Sequence, residues 1–210
     1  MNLKPTVIFD LGAVLIDWNP RHLYRKLFTD EATMEQFFAE TDLLNWNARQ
    51  DGGYPFAQAV SELSEQFPHH EHYIRAFHER WEEMMPGAID PTVEILAELR
   101  AQDYDLFALS NWSAETYPTA YARFEFLQWF RAVVISGELK VCKPHPRIYK
   151  HILSLIGRPA NECIFIDDSL ANYNAAVELG FQSIHFQSPA QLRAELIARD
   201  IPLTTAEARP

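Results

Sequence analysis

Four places far apart in the chain carry polar groups directly after apolar runs: Asp10, Ser110-Asn111, the Lys140 to Lys143 segment, and Asp167-Asp168. Asp10 follows Val7-Ile8-Phe9, a run with the composition of a strand buried on both faces. A carboxylate there is either a nucleophile beyond a strand end or a cap for the next element. Ser110 and Asn111 can donate hydrogen bonds to an anionic group. Lys143 brings one positive charge. Three carboxylates sharing a cleft with one lysine would raise at least one pKa strongly. A hard divalent cation removes that conflict, and Mg²⁺ takes oxygen ligands, typically one or two carboxylates with water and phosphate. Asp10 and Asp168 are the candidate ligands, together with a main-chain carbonyl near Gly12. Asp167 is either a further ligand or a group that orients bound water.

These groups act together only if the fold brings them to one edge. After residue 85 the chain alternates. A helix over 91–100 precedes a strand over 105–110. Mostly helical residues 114–130 lead to a strand over 132–136. A helix over 146–156 precedes a strand over 162–166. A helix over 171–179, stopped by Gly180, precedes a strand over 182–186 and a last helix over 191–199. Such alternation predicts βαβ units, a parallel sheet and right-handed crossovers. In an open parallel sheet the carboxyl ends of the strands share the ligand-binding edge. Residues 20–85 contain no convincing strand. Leu23 and Leu27, then Met34, Phe37 and Phe38, suit two amphipathic helices; Phe56 to Phe67, and Tyr73 to Trp81, suit two more. The expected architecture is a three-layer, Rossmann-like α/β sandwich with a helical cap inserted after the first strand. The core comprises residues 1–17 and 86–210, the cap residues 18–85, and the tail beyond Pro202 is expected to fray.

Composition narrows the function classes. The 210 residues are 48% hydrophobic and 22% charged, the balance of a globular protein. A formal charge of −11 argues against a partner bound through a nucleic-acid backbone. It leaves room for a small anionic substrate at a locally positive site. No apolar run reaches membrane-spanning length, and the N-terminus lacks a secretory signal pattern. Two cysteines, Cys142 and Cys163, give neither a disulfide framework nor a zinc cluster. A cytoplasmic protein is the default expectation, and a homodimer is compatible with the composition.

The ordered motifs resemble those of the haloacid dehalogenase-like hydrolase superfamily, across essentially the whole chain. Phe9 to Leu15 looks like its first motif, Leu109-Ser110-Asn111 the second, Lys143 to Tyr149 the third, and Phe165 to Asn172 the acidic fourth. The closest likeness is to the subgroup with a small helical cap that includes sugar-phosphate phosphatases and the phosphatase domain of soluble epoxide hydrolases. This resemblance implies Asp10 as nucleophile, Ser110 as phosphate binder, Lys143 as the stabilising lysine, Mg²⁺ as cofactor, and Asp168 rather than Asp167 as direct ligand. Substrate-binding roles fall to Gly12, Asn111 and Trp112, and the expected substrate is a small phosphomonoester such as a sugar phosphate.

One departure matters. Family phosphatases usually carry a second Asp two residues after the nucleophile as general acid and base; here that position is Gly12. General acid–base help is worth about 10²–10⁴ in rate. A phosphatase using a water, Asp17 or a cap residue is one reading. A 2-haloacid dehalogenase, which needs no acid to release halide, is a second, and a non-catalytic binding protein a third. The retained Asp167-Asp168 pair favours the phosphatase, because dehalogenases of this family replace it with neutral residues. Elsewhere, Trp46, Asn47, Arg49 and the turn Asp51 to Gly53 are placed either over the pocket or in the cap's own core and surface. His69, His70 and His72 read as a solvated loop rather than a zinc site. His145 reads as a residue facing the site or the surface, and Tyr149 as packing behind the lysine. Phe124, Phe126, Trp129 and Phe130 read as core or oligomer surface.

Overall fold

The computed structural model describes residues 4–204. Five parallel strands form one sheet: β1 (Thr6–Phe9), β2 (Leu106–Ser110), β3 (Ala132–Ile135), β4 (Cys163–Asp167) and β5 (Gln182–His185), in the order β3-β2-β1-β4-β5. β1 is central, with Phe9 opposite Ala108 on one side and Ile166 on the other. This register brings the ends of β1, β2 and β4 level. Strand side chains alternate between two cores. Val7 and Phe9 join a cluster shared with the helices that follow β1. Ile8, Phe107, Leu109 and Phe165 pack with Tyr149 and Ile152 on the opposite face. The three-layer α/β expectation holds.

Six helices intervene between β1 and β2, and the first five form the inserted block: α1 (Arg21–Tyr24), α2 (Glu31–Glu40), α3 (Leu43–Asp51), α4 (Phe56–Gln66) and α5 (Glu71–Glu79). Aromatic contacts hold them together. Tyr24 is fully buried against Phe37, Phe38 and Phe77, and its hydroxyl donates to the Tyr73 carbonyl at 2.9 Å. The chain enters and leaves this block through adjacent segments: Asp17 N–H donates to the Gly87 carbonyl at 3.0 Å and Ile89 N–H to the Leu15 carbonyl at 2.8 Å. Trp46 belongs to this aromatic core; it is buried, edge-on to Phe77, with its indole N–H on the Ala59 carbonyl at 3.2 Å. Arg49 lies over the Tyr54 ring and pairs with Glu62, on the outside.

The remaining helices are α6 (Asp90–Ala101), α7 (Tyr117–Arg123), α8 (Ser136–Leu139), α9 (Pro146–Ile156), α10 (Leu170–Glu178) and α11 (Pro189–Ala198). Several differ from the sequence expectation. The helical stretch predicted over 114–130 breaks at the extended residue Phe124 into α7 and a 3₁₀ turn, Glu125–Trp129. Phe124, Phe126 and Phe130 bury in the core, and Trp129 carries the Arg100 guanidinium on its face. Ser136, expected to end a strand, instead opens α8. The predicted frayed tail is held through Thr204: Leu203 is buried, and Thr204 N–H donates to Glu98 Oε2 at 2.7 Å. Residues 205–210 lie outside the described residues.

Candidate active site

Asp10 stands one residue beyond β1, its backbone tied into the sheet by an N–H donated to the Ile166 carbonyl at 2.8 Å. Its Oδ1 accepts the Leu11 N–H and the Ser110 hydroxyl, each at 2.7 Å. Lys143 Nζ meets its Oδ2 at 2.9 Å. The same ammonium donates to Asp167 Oδ2 at 2.7 Å and to the Leu109 carbonyl at 2.8 Å. All three N–H groups of Lys143 are therefore spent on the protein. This lysine supplies charge, and its position is fixed by partners on three sides.

Asn111 fixes the segment that carries the lysine. Its amide donates to the Lys143 carbonyl at 2.9 Å and accepts the Lys143 N–H at 2.8 Å. The expected role of Asn111 in holding substrate is thereby reduced to one remaining amide hydrogen, and its main structural work is a two-way clamp. Tyr149 packs edge-on to Phe165, whose ring lies under Lys143 Nζ, and donates its hydroxyl to the Asn172 carbonyl at 3.0 Å. It buttresses the lysine as expected. His145 caps α9, its Nδ1 accepting the Arg147 N–H at 3.2 Å, so it belongs to that helix end.

The acidic pair divides in two. Asp167 is the last residue of β4, paired in register with His185 and fully buried. Its Oδ1 accepts from Ser169 N–H at 2.9 Å and from the Asn172 amide at 3.0 Å. Both its oxygens already hold protein donors. Asp168 is exposed, and its carbonyl is held by His185 Nε2 at 2.9 Å. Carboxylate oxygens of Asp10, Asp167 and Asp168 lie within 4.8 Å of one another. Burial pushes the Asp10 carboxyl up to about 7, against the pull of Lys143, and the charges of Asp167 and Asp168 push the same way. Partial burial and then Asp167 also raise Asp168. Burial would lower the Lys143 ammonium, yet Asp10 and Asp167 outweigh it and hold the pKa above the ordinary lysine range. Three hard oxygen donors against one fixed positive charge are a donor set that suits Mg²⁺. Asp10 Oδ2 and Asp167 Oδ2 share the Lys143 ammonium, and Asp168 is the exposed member of the set.

Two residues beyond Asp10, at Gly12, the chain enters the wall of a cavity of about 60 Å³, lined also by Trp18, Asn47, Asp51, Trp81, Asn111 and Trp112. Gly12 is not a steric necessity there: a Cβ at that position would meet only Trp18 Cβ, at 3.9 Å. Trp112 contributes a ring surface alone, because it is buried with its indole N–H on Thr116 Oγ1 at 3.1 Å. Asp17, a suggested substitute acid, is not among the residues lining the cavity and pairs with His22 at 2.9 Å. The sequence reading assigned no role to Asn172, Ser136, Trp18 or Trp81. Asn172 lay within the fourth motif, five residues after Asp167, and its amide position was the available signal. The two tryptophans carried none.

The comparisons with known proteins agree with this geometry. The family model for haloacid dehalogenase-like hydrolases matches residues 7–186. A flavin mononucleotide hydrolase of Arabidopsis thaliana is 30% identical over 115 residues, covering 51% of this chain and 44% of that protein, less than half its length. A sesquiterpene phosphatase of Aspergillus oryzae is 25% identical over 179 residues, covering 85% of this chain and 87% of that protein. Among solved structures, a family enzyme from Bacteroides thetaiotaomicron, in complex with magnesium and inorganic phosphate, superposes with a TM-score of 0.67 at 24% identity, covering 87% of this chain and 93% of that one. An L-2-haloacid dehalogenase from Xanthobacter autotrophicus superposes at 0.66 with 18% identity, covering 96% and 85%. A central strand that ends at a buried carboxylate, a buried lysine and an acidic corner thus occur here with a family match over most of the sequence, and the chain belongs to the haloacid dehalogenase-like hydrolases.

Proposed function

We propose that this hydrolase is a Mg²⁺-dependent phosphatase of a small phosphomonoester, working through an aspartyl phosphate on Asp10. The observation that carries the reading is the charge balance of the corner. Asp10, Asp167 and Asp168 gather around one lysine, and the fold already pushes Asp10 up to about 7. A dicationic ion held by Asp10 and Asp168, with a carbonyl near Gly12, would restore the Asp10 anion and neutralise a bound phosphate. The matched phosphatase and the magnesium- and phosphate-bound neighbour support the same reading.

In this mechanism Asp10 Oδ2 attacks phosphorus and the ester oxygen departs. Water then attacks the acyl phosphate, releasing inorganic phosphate and regenerating Asp10. Lys143 stabilises negative charge as it spreads over the transferring group, at no cost in reorganisation because its own bonds are already made. The Ser110 hydroxyl holds Asp10 Oδ1 and so directs Oδ2 toward substrate. The division into a core of residues 1–17 and 86–210 and a cap of 18–85 belongs to this proposal, the cap choosing the leaving group. Among the described residues no helix is long and apolar enough to cross a membrane, in keeping with a small diffusible substrate.

The dehalogenase reading rests on one specific feature, the absence of an acid at Gly12, together with the dehalogenase-like superposition. A panel of phosphomonoesters and 2-haloacids, each assayed with Mg²⁺ and with excess chelator, separates the two. The expected outcome is phosphate release that chelation abolishes, no halide release, and a loss of at least about 10⁴-fold in Asp10→Asn with the fold retained. Consumption of 2-haloacids unaffected by chelator would overturn the phosphatase assignment.

A further inference from the structure

The cavity between Gly12, Asn111 and the end of α3 has a composition that packing alone does not explain. Trp18 Nε1, Trp81 Nε1 and Asn47 Oδ1 are buried and have no hydrogen-bond partner in the protein. All three residues line this one cavity. Buried polar atoms are nearly always paired, and an unpaired one costs about 1–3 kcal/mol. Two N–H donors and one carbonyl acceptor without partners, on residues that line a common space, are complementary to a ligand bearing hydroxyl groups.

Asp51 lines the same space. It is the last residue of α3, at the negative end of the helix dipole, where a carboxylate is disfavoured. Asp51 Oδ2 accepts the Asn47 amide at 3.1 Å, and the Ser113 N–H also bonds the carboxyl. Asp10 faces it electrostatically from the end of β1, and the Cys142 thiol from beyond α8. Among the described residues no lysine, arginine or histidine forms an ion pair with it. Burial, the larger effect, pushes this carboxyl up to about 7. Its backbone is tied to the core. Ser136 Oγ donates to the Asp51 carbonyl at 2.6 Å and accepts the Trp112 N–H at 2.9 Å, tying the end of α3 to the loop after β2. Gly53 has a φ of +90°, and a Cβ on it would stand 2.9 Å from the Gly137 carbonyl, so the two backbones are in direct contact.

We propose that Asp51 is the proton donor of the reaction, in place of the acid missing at Gly12, and that Trp18, Trp81 and Asn47 hold a hydroxylated leaving group against it. This rests on the phosphatase reading. As Asp10 bonds to phosphorus, the P–O ester bond breaks and its electron pair goes to the leaving oxygen, which takes the proton of Asp51. In the second half the Asp51 carboxylate removes a proton from the water that attacks the aspartyl phosphate. Phosphate leaves, and both acids return to their starting state.

The test compares two esters in the full chain with Mg²⁺: glycerol 2-phosphate, whose alcohol is a poor leaving group, and p-nitrophenyl phosphate, whose phenolate needs no proton. Asp51→Asn is expected to lose at least about 10²-fold in kcat on glycerol 2-phosphate and less than fivefold on p-nitrophenyl phosphate. The double variant Gly12→Asp, Asp51→Asn is expected to recover part of the lost turnover, since Gly12 has room for a side chain. Equal losses on both esters would overturn the assignment of Asp51 while leaving the phosphatase reading intact. A wild-type chain inactive on both esters would overturn the phosphatase reading and this proposal with it. Wild-type rates on a series of aryl phosphates require no variant: a shallow dependence on leaving-group pKa is expected, and a steep one would also overturn the proposal.

Discussion

Lys143 illustrates how little freedom a residue at this site retains. Its ammonium is fully buried and bonded to Asp10, Asp167 and the Leu109 carbonyl. Removing one partner of a buried charge cluster leaves the others uncompensated, at about 3–5 kcal/mol. Lys143→Met should therefore destabilise the protein by roughly that amount at pH 8 in urea unfolding without Mg²⁺. The loss should be smaller at pH 5, where Asp10, already pushed up to about 7, takes a proton instead of holding a bare charge. A loss equal at both pH values would mean that Lys143 matters through packing alone. The residues of this cluster were legible in the sequence because each is an ionisable group at the end of an apolar run. Their division of labour was not. Which of Asp167 and Asp168 is enclosed depends on β4 running one residue further than expected and pairing Asp167 with His185. The clamp made by Asn111 was hidden for a similar reason: its partner, the Lys143 backbone, is 32 residues away in sequence.

At the level of elements, the strands and most core helices follow hydrophobic periodicity, and they lie within a residue or so of where that pattern puts them. Besides the single turn of α8, the helix that the pattern does not reveal is α3, and the cause is informative. Its buried positions Leu43, Trp46, Asn47 and Gln50 have helical spacing, but half of them are polar. A face that carries Asn47 and ends at Asp51 looks like loop to any method that counts apolar residues. The element that brings cap chemistry to Asp10 is thus the one whose pattern is broken. α3 meets the core through Gly53 and Gly137, and this contact can be tested apart from the chemistry. A Cβ on Gly137 would stand 2.5 Å from Ala114 N and 2.8 Å from the Trp112 carbonyl, both of them backbone atoms. Gly137→Ala should cost about 1–3 kcal/mol of stability and lower kcat as the loop after β2, tied to the end of α3 through Ser136, shifts. Gly87→Ala, with nothing within 4 Å of the new Cβ, serves as the matched control and should stay within about 0.5 kcal/mol. Equal effects in thermal unfolding would remove the special status of the α3 contact.

Across the whole molecule, the parallel sheet and its two cores create one reactive edge, and the helical insertion closes over it. One hydrophobic cluster runs without a break from β1 through Leu11 and Leu15 to Met34 and Phe77 of the inserted helices. The insertion is therefore supported by the core rather than hung on a linker. That organisation was legible from the order of strands and helices; the contact between the two parts was not, because it is made by aromatic rings and backbone glycines without a sequence signature. The cavity between Gly12 and Asp51 holds about 60 Å³, enough for a few waters and far below the roughly 300 Å³ of an ordinary ligand pocket. A leaving group of more than a few atoms fits only if a wall of this cavity yields, and the end of α3, held to the loop after β2 through Ser136, is the wall we propose to move. Friction with the solvent then enters the turnover rate. Raising viscosity with sucrose should slow glycerol 2-phosphate turnover in proportion once this swing, rather than bond breaking, limits the rate. Polymeric crowders that raise bulk viscosity alone should leave it unchanged. An enzyme assembled around one aspartate would then have its speed governed by how quickly a single serine hydroxyl, Ser136, releases and recaptures the Asp51 backbone.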